Sequence, residues 1–305
     1  MIGGKAHCWV KHRTCPWLSP AKLLTLLVKV NFSRLFIFAM NLLITGAMGQ
    51  LGHELQVLAA QYPQHHFVFT DIQGTNEASS TIYALDITDK AALAQMVAQH
   101  NIEVIINCAA FTNVDAAETQ EELADLLNHK AVDNMAQIAQ QSGAWLLHIS
   151  TDYVFGAEPY NTPCREDQTG TPTGIYGRTK LQGEQAIVAS GCQHIIVRTA
   201  WLYSTHGKNF PKTIFSLLDT RPEIKVVFDQ VGTPTAAKDL AAALMHIIDK
   251  GGLQPQNTGV YHYSNEFPSP VQRPAYSVLD KSKIKATFGL EIPHWLDSLH
   301  QVFGA

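Results

Sequence analysis

Tyr176 and Lys180 are the residues whose types and spacing most clearly suggest chemistry. They lie four positions apart in "YGRTK", and of the nine tyrosines only Tyr176 has a lysine four residues later. At the start of a predicted helix this spacing places both side chains on one face. A neighbouring ammonium favours the phenolate, so we expect Lys180 to lower the pKa of Tyr176 and make it a proton donor near neutral pH. The alternative interpretation is a surface pair on an amphipathic helix.

A cluster of polar side chains precedes this pair, at the end of a predicted strand. The segment "HISTDYVF" places Ser150, Thr151 and Asp152 at the carboxyl edge of that strand. A hydroxyl at this point, such as that of Thr151, can hydrogen-bond a substrate carbonyl as a hydride reaches its carbon, while Tyr176 supplies the proton. The cluster therefore predicts chemistry that depends on a nicotinamide. An aspartate at a strand end also often caps a turn, which is the alternative for Asp152.

The glycines of "LITGAMGQLG" indicate where such a cofactor would bind. Gly46, Gly49 and Gly52 recur every third residue directly after an apolar run. A tight glycine turn between a strand and a helix lets backbone N–H groups and the helix N-terminus approach a pyrophosphate. Asp71 ends the next predicted strand about 20 residues later, where a carboxylate can bind the ribose hydroxyls. No arginine follows Asp71 directly, so the local pattern favours NAD without excluding NADP.

Strand-like and helix-like segments alternate from Met40 onward, which is the order needed to bring these residues together. Helical stretches such as "KAALAQMVAQH" and "NMAQIAQQSG" separate short apolar runs typical of strands buried on both faces, at 42–44, 67–69, 104–106, 145–149 and 195–197. The alternation predicts an α/β fold with a Rossmann-type, doubly wound parallel sheet. In such a sheet the carboxyl ends of the strands meet at one edge.

Composition narrows the class of protein. The chain has 305 residues, 46% hydrophobic positions and a net charge of −4, which predicts a globular protein without the concentrated basic face of a nucleic-acid binder. Its five cysteines are scattered and form no C-x-x-C pair, as expected of reduced thiols in the cytoplasm. The fourteen histidines show no metal-ligand spacing, so we expect no catalytic metal.

Residues 1–39 differ from the rest of the chain. They begin with basic residues and continue into apolar stretches that Lys29 and Arg34 interrupt, which leaves no uncharged run of about 18 residues to span a bilayer. Met40 stands directly before the first predicted strand. We interpret 1–39 as a nonnative or dispensable leader with translation able to start at Met40, and an interfacial membrane anchor is the alternative.

Seven segments in order resemble the dTDP-4-dehydrorhamnose reductase family of the extended short-chain dehydrogenase/reductase superfamily. They are "TGAMGQLG", "NCAAFTNVDAAE", "STDYVF", "YGRTK", "RTAWLY", "DQVGTPT" and "RPAYSVLD". The resemblance implies a Rossmann domain over 40–200 and a smaller substrate-binding lobe with interleaved elements over 201–305. It implies reduction of the 4-keto group of a dTDP-linked deoxysugar by NADPH or NADH.

The resemblance also assigns residues to the site. It implies a catalytic set of Tyr176, Lys180 and Thr151. Tyr176 and Lys180 are also expected to contact the cofactor, as is Gly46, the first glycine of the turn. The resemblance implies further cofactor contacts from Gly49, Gln50, Leu51, Asp71, Asp86, Ile87, Ala109, Ala110 and Phe111.

The resemblance further implies that Thr151 and Asp152 meet the sugar with Trp201 beside it, although a tryptophan at a strand end is also often a core residue. Past Trp201, Asn209 and Arg273 are candidates to contact the diphosphate or base, because a planar guanidinium matches phosphate oxygens. Pairing of Arg273 with a surface carboxylate is the alternative.

The chain departs from the family after "YHYSNE". There "FPSPVQRPAY" follows almost at once, which predicts a substrate lobe that is truncated near 266–272 and an incomplete sugar pocket. An epimerase or dehydratase of sugar nucleotides is one alternative function. A non-catalytic regulatory subunit resembling the β subunit of methionine adenosyltransferase is another, because such a subunit can lose part of a sugar pocket. A homodimer is one option for the assembly.

Overall fold

The computed structural model describes residues 39–77, 80–157, 162–225, 231–266 and 278–304. Two of the sequence predictions therefore lie outside the described residues: the leader, apart from Ala39, and the truncation near 266–272, apart from Glu266. Arg273 also lies outside them. Residues 38–305 form one compact unit. Within the described ranges no helix is both long and apolar enough to cross a membrane.

Eight strands form the main sheet, in the spatial order β10-β7-β6-β5-β1-β2-β4-β3. All neighbours are parallel except β3 and β4, which are antiparallel. A separate pair, β8 and β9, is also parallel. The strands are β1 Asn41–Thr45, β2 His66–Asp71, β3 Thr75–Glu77, β4 Ser80–Ala84, β5 Val104–Asn107, β6 Trp145–Thr151, β7 His194–Thr199, β8 Leu202–Tyr203, β9 Thr235–Ala236 and β10 Gly259–His262.

Helices connect the strands and cover both faces of the sheet. The α-helices are α1 Gln50–Ala59, α2 Lys90–Gln99, α3 Val114–Ala117, α4 Glu121–Asp125, α5 Ala131–Ser142, α6 Ile175–Ser190, α7 Phe210–Leu218, α8 Ala237–Asp249, α9 Ser282–Phe288 and α10 Trp295–Phe303. A π-helical turn, Leu126–Lys130, joins α4 to α5, and short 3-10 turns lie at Asp152–Val154 and Pro255–Asn257.

Two hydrophobic clusters lie on opposite faces of the sheet. The first packs α1 and α8 against β1, β5 and β7, and the second packs α2, α5 and α6 against the other face. Every residue of β5 and β7 is buried, which explains their unbroken apolar runs. All five predicted strands are present, and the predicted doubly wound α/β fold is confirmed.

The carboxyl-terminal part of the chain is interleaved with the first part. β10 pairs with β7 and extends the main sheet, and α8 packs on α1. Unlike α8, the helix α7 has no buried residue.

The domain boundary placed at residue 200 from the sequence stays a prediction.

Candidate active site

The glycine turn between β1 and α1 packs so closely against neighbouring backbone that it leaves no room for side chains at Gly46 and Gly52. Gly46 has φ +66°, and a Cβ there would lie 2.7 Å from the backbone nitrogen of Ala109. A Cβ on Gly52 would lie 2.4 Å from the carbonyl oxygen of Gly46. Gly49 is the N-cap of α1 and offers no side chain to its N–H groups, so the positive end of the helix dipole faces the pocket. This cradle fits a dinucleotide pyrophosphate.

Asp71 lies at the carboxyl end of β2 and lines the pocket beside this turn. Its two carboxylate oxygens accept hydrogen bonds from the backbone N–H groups of Met48, at 2.9 Å, and Ile72, at 2.8 Å. These bonds fix the carboxylate at the edge of the glycine turn. The geometry suits a ribose hydroxyl, which can donate to the remaining lone pairs.

Most of the other predicted cofactor contacts also lie on the pocket wall. The wall includes Gln50, Leu51, Asp86, Ile87, Ala109 and Ala110. Phe111 is not among the wall residues. Its backbone N–H donates to Asn128 Oδ1 at 2.9 Å and its carbonyl accepts from Asn128 Nδ2 at 3.1 Å. These two bonds attach the loop after β5 to the π-helical turn that contains Asn128.

Thr151, Asp152 and Tyr176 line the same pocket. The Thr151 hydroxyl donates to Asp152 Oδ1 at 3.1 Å and accepts from the N–H of Tyr153 at 3.2 Å. Burial raises the pKa of Tyr176 to about 12, and a hydrogen bond with Thr151 partly opposes that rise. Tyr176 is therefore a protonated phenol at neutral pH and can donate a proton.

The predicted effect of Lys180 on Tyr176 is wrong for this structure. Lys180 Nζ donates to the carbonyl oxygen of Ile149 at 2.7 Å and lies 3.2 Å from Nε2 of His148. The ammonium is therefore held by β6, and burial of the phenol outweighs any stabilisation of the phenolate. Burial also lowers the pKa of Lys180 to about 8, although nearby Glu184 raises it.

Helix α6, which carries Tyr176 and Lys180, is anchored by a buried ion pair. Arg198 of β7 donates to Glu184 from Nε at 3.0 Å and from Nη2 at 2.7 Å, and Ser150 donates to the same carboxylate at 2.5 Å. The guanidinium also lies 5.1 Å from the centroid of the Phe155 ring. These contacts fix the helix face that meets the pocket.

Trp201 and the segment 204–209, here called the 204–209 loop, form the opposite wall. Trp201 lines the pocket with its side chain 44% exposed and has φ +49°, an unusual conformation for a bulky residue. Asn209 does not reach the wall, because its amide donates to Gln50 Oε1 at 2.9 Å and to the carbonyl oxygen of Ser204 at 2.7 Å. His206 stacks on His53 of α1, with ring centroids 4.4 Å apart.

One continuous pocket of about 840 Å³ contains the predicted cofactor and catalytic residues. It extends from the glycine turn and Asp71, past Tyr176 and Lys180, to Trp201. A volume near the upper end of the usual range for ligand sites suits a dinucleotide with a second ligand beside it.

Some residues of the site carry no signal in the sequence. Lys208 lines the pocket, and within the described part of the chain it is the one basic wall residue besides Lys180. His148 and Asn128 lie behind the wall and contact Lys180 and Phe111. A single lysine in a loop and a single histidine in a strand have no distinctive spacing, so only the fold relates them to the site.

Several proteins with related sequences are named dTDP-4-dehydrorhamnose reductase. The family model described as "RmlD substrate binding domain" matches residues 40–266. A dTDP-4-dehydrorhamnose reductase of Shigella flexneri is 33% identical over 291 residues, covering 84% of this chain and 94% of that protein.

Solved structures agree with these relatives. A dTDP-4-dehydrorhamnose reductase from Clostridium acetobutylicum is 36% identical and superposes with a TM-score of 0.75, covering 87% of this chain and 99% of that one. The Bacillus anthracis enzyme of the same name, solved in complex with NADP, is 31% identical with a TM-score of 0.72 and the same coverage.

Proposed function

The chain belongs to the RmlD substrate-binding-domain family, and we propose that it catalyses reduction of the 4-keto group of dTDP-4-dehydro-6-deoxy-L-mannose to dTDP-L-rhamnose. The family match over 40–266 and the names of relatives at 33–36% identity support this activity. The single observation that carries the proposal is the continuous pocket that joins the glycine turn to Tyr176, Lys180 and Thr151. A hydride donor and a carbonyl acceptor can meet there.

The residues of the chain have separate tasks in this reaction. A bound nicotinamide would supply the hydride to C4 of the sugar. Tyr176 donates its phenolic proton to the developing alkoxide at O4, and the Thr151 hydroxyl turns its proton from Asp152 Oδ1 to hydrogen-bond the same oxygen. Lys180 lies one helical turn further along α6 and returns a proton to the Tyr176 phenolate. The buried pair of Glu184 and Arg198 keeps this helix face in register.

The glycine turn and Asp71 would hold the dinucleotide. The absence of a Cβ at Gly46 and Gly52 lets the turn pack closely on its own backbone and on Ala109, which leaves the N-terminus of α1 facing the pocket where a pyrophosphate would bind. Asp71 presents oxygens to the adenosine ribose. A carboxylate favours NADH, since it repels a 2′-phosphate. The Bacillus anthracis relative was solved in complex with NADP, so we propose NADPH or NADH as the donor.

The sugar nucleotide would lie between Asp152 and Trp201. Asp152 is buried at the strand end with its carboxylate beside Thr151, and Trp201 offers a partly exposed indole on the opposite side of the pocket. Lys208 adds a positive charge to that side, where a diphosphate would benefit from it. We also propose that Arg273 contacts the sugar nucleotide and that Asn209 acts on it by holding the 204–209 loop in place.

For the protein as a whole we propose a cytoplasmic location and a homodimer.

A coupled assay tests the activity directly. The purified protein is incubated with NADPH or NADH and dTDP-4-dehydro-6-deoxy-L-mannose, absorbance follows the reduced cofactor, and NMR identifies the product. We expect stoichiometric cofactor consumption and dTDP-L-rhamnose. Conversion of the sugar without net cofactor consumption would instead identify an epimerase or dehydratase. Cofactor binding without turnover, with co-purification of a synthetase, would identify a regulatory subunit.

A further inference from the structure

A buried chain of hydrogen bonds leads away from Lys180 through the centre of the sheet. Lys180 Nζ lies 3.2 Å from His148 Nε2, and His148 Nδ1 lies 3.0 Å from Asn107 Nδ2. Asn107 Oδ1 accepts from the Thr45 hydroxyl at 2.7 Å. All four side chains are at most 2% exposed. This chain of hydrogen bonds thus crosses from α6 through β6 and β5 to β1 inside the protein, with its Lys180 end at the pocket.

The direction of these hydrogen bonds determines the tautomer of His148. Because the Thr45 hydroxyl donates to Oδ1 of Asn107, the amide turns its NH2 group toward the imidazole. His148 Nδ1 must then accept, so in the neutral ring the proton is on Nε2, which faces Lys180. Burial and the nearby Lys180 lower the pKa of His148 well below its usual value, so the ring is neutral.

An Nε2–H group facing Lys180 has a consequence for the charge of that lysine. An ammonium has three N–H donors and no acceptor, whereas a neutral amine has a lone pair that can accept from Nε2–H. We propose that His148, held as the Nε2–H tautomer by Asn107 and Thr45, is a positioning residue that favours the neutral amine form of Lys180. Lys180 can then release and regain a proton during turnover.

Burial itself favours the neutral amine of Lys180, but the other polar groups around Lys180 do not. The carbonyl of Ile149 accepts from Nζ, which favours the ammonium, and Glu184 on the same helix acts in the same direction. Arg198 of β7 binds the Glu184 carboxylate and neutralises much of its charge. Toward the pocket lies Tyr176, a neutral phenol near Asp152 and Tyr153. His148 is therefore the hydrogen-bonding partner that opposes the ammonium.

Two other buried histidines provide internal references for the tautomer. His194 Nδ1 lies 2.9 Å from the carbonyl oxygen of Cys192, and His262 Nδ1 lies 3.1 Å from the carbonyl oxygen of Cys164. A carbonyl only accepts, so both rings have the proton on Nδ1. We expect His148 to show the opposite tautomer.

NMR of protein labelled with 15N-histidine measures this directly and needs no catalytic turnover. Nitrogen shifts separate protonated from unprotonated ring nitrogens, and loss of one signal set in His148→Phe assigns His148. We expect the Nε2–H form for His148 and the Nδ1–H form for His194 and His262. An Nδ1–H form or an imidazolium at His148 near neutral pH would overturn the proposal, whatever the activity assay shows.

A pair of threonine variants tests the effect on Lys180 and rests on the proposed function. Thr45→Val removes the donor that orients Asn107, so the amide can turn and leave His148 Nε2 as an acceptor for the ammonium. Thr70→Val is the matched control, because Thr70 is equally buried on β2 but donates to the carbonyl oxygen of Ile44, which is not part of the chain of hydrogen bonds from Lys180 to Thr45.

The pH profile of the reduction provides the readout. Burial lowers the pKa of Lys180 to about 8, so the rate should fall above that pH as the lysine loses the proton that it returns to Tyr176. We expect Thr45→Val to move this fall upward by about one pH unit and to change the His148 tautomer by NMR, with Thr70→Val changing neither. A changed tautomer with an unmoved profile would contradict the proposal. An inactive wild type would contradict the proposed function alone, and the NMR result would still stand.

Discussion

The two walls of the pocket are built differently. The wall that we assign to the cofactor, here called the cofactor wall, consists of the glycine turn, Asp71 and the face of α6 with Tyr176 and Lys180. Its backbone comes from buried strands and a helix held by an internal ion pair. The loop wall consists of Trp201 and the 204–209 loop, and no residue of α7, the helix that follows this loop, is buried. The first wall is preformed, whereas the second depends on a few polar contacts.

This difference between the two walls predicts which ligand's affinity changes when a residue of either wall is substituted. A wall held by close backbone packing, internal hydrogen bonds and a buried ion pair resists rearrangement, and a substitution there acts locally on chemistry or on dinucleotide affinity. The loop wall is held by the bond between Asn209 and Gln50 and by the stack of His206 on His53. Substitutions there should alter sugar-nucleotide affinity with little effect on the dinucleotide. The following experiments test this separation.

The largest effect should come from Tyr176→Phe. The variant keeps the ring and its edge contact with Tyr153, at 5.5 Å between centroids, but removes the proton donor. We expect turnover to fall by about 10²-fold or more, with unchanged NADPH affinity measured by fluorescence titration. Tyr83→Phe, a half-exposed tyrosine of β4 outside the pocket, is the control. An unchanged rate in a folded Tyr176→Phe protein would remove this residue from the mechanism.

A smaller loss, in dinucleotide affinity, should follow Gly46→Ala. The new methyl group would lie 2.7 Å from the Ala109 nitrogen at φ +66° and displace the turn from the pyrophosphate site. We expect NADPH affinity to fall roughly tenfold or more, equivalent to about 1.4 kcal/mol. Gly143→Ala is the matched control, because its φ is +77° but no atom lies within 4 Å of the added Cβ. Equal losses of affinity in both variants would show that backbone strain, not the cradle, is responsible.

Asp71→Asn should shift cofactor preference. The amide keeps one acceptor oxygen for the N–H of Met48 or Ile72 but loses the charge that binds ribose hydroxyls and repels a 2′-phosphate. We expect NADH affinity to fall about three- to tenfold, with NADPH affinity unchanged or improved. The ratio of the two dissociation constants, measured by calorimetry, reports this. A parallel loss for both cofactors would assign Asp71 to support of the turn alone.

The smallest effect should come from Lys208→Gln on the loop wall. Lys208 is exposed, so salt screens its attraction for a diphosphate. We expect dTDP affinity to fall roughly two- to fivefold at low salt and less at high salt, with NADPH affinity unchanged. Lys250→Gln, an exposed lysine paired with Asp249 away from the pocket, is the control. A larger loss for NADPH than for dTDP would place Lys208 beside the cofactor and break the separation of the two walls.

The sequence predicted most of the cofactor wall because its signals are local. The apolar runs, the glycine spacing and the pair of Tyr176 and Lys180 each depend on neighbours within a few residues. The structure forms the strands and brings the glycine turn and this pair to one pocket, and their roles toward a cofactor stay predictions. The resemblance to a known family added Asp86, Ala109 and Ala110, which no local pattern indicates.

The charge state of the pair was not predictable in the same way. The sequence indicated that Lys180 would lower the pKa of Tyr176, but burial and the hydrogen bonds from Lys180 to β6 depend on residues about 30 positions away. The spacing of two residues on a helix predicts that their side chains share a face, but it does not predict the burial or hydrogen bonds that set their pKa values. Asn209 illustrates the same limit: its polar type suggested a ligand contact, which stays a prediction, whereas in the structure its amide donates hydrogen bonds within the protein.

Transfer of the hydride itself tests the central claim most directly. NADPH deuterated at C4 of the nicotinamide ring is incubated with the protein and dTDP-4-dehydro-6-deoxy-L-mannose, and the product is examined by NMR and mass spectrometry. The proposed function predicts one deuterium at C4 of the sugar in dTDP-L-rhamnose, and Tyr176→Phe should form this product far more slowly. Cofactor that stays fully deuterated and reduced while the protein binds both ligands would contradict the account.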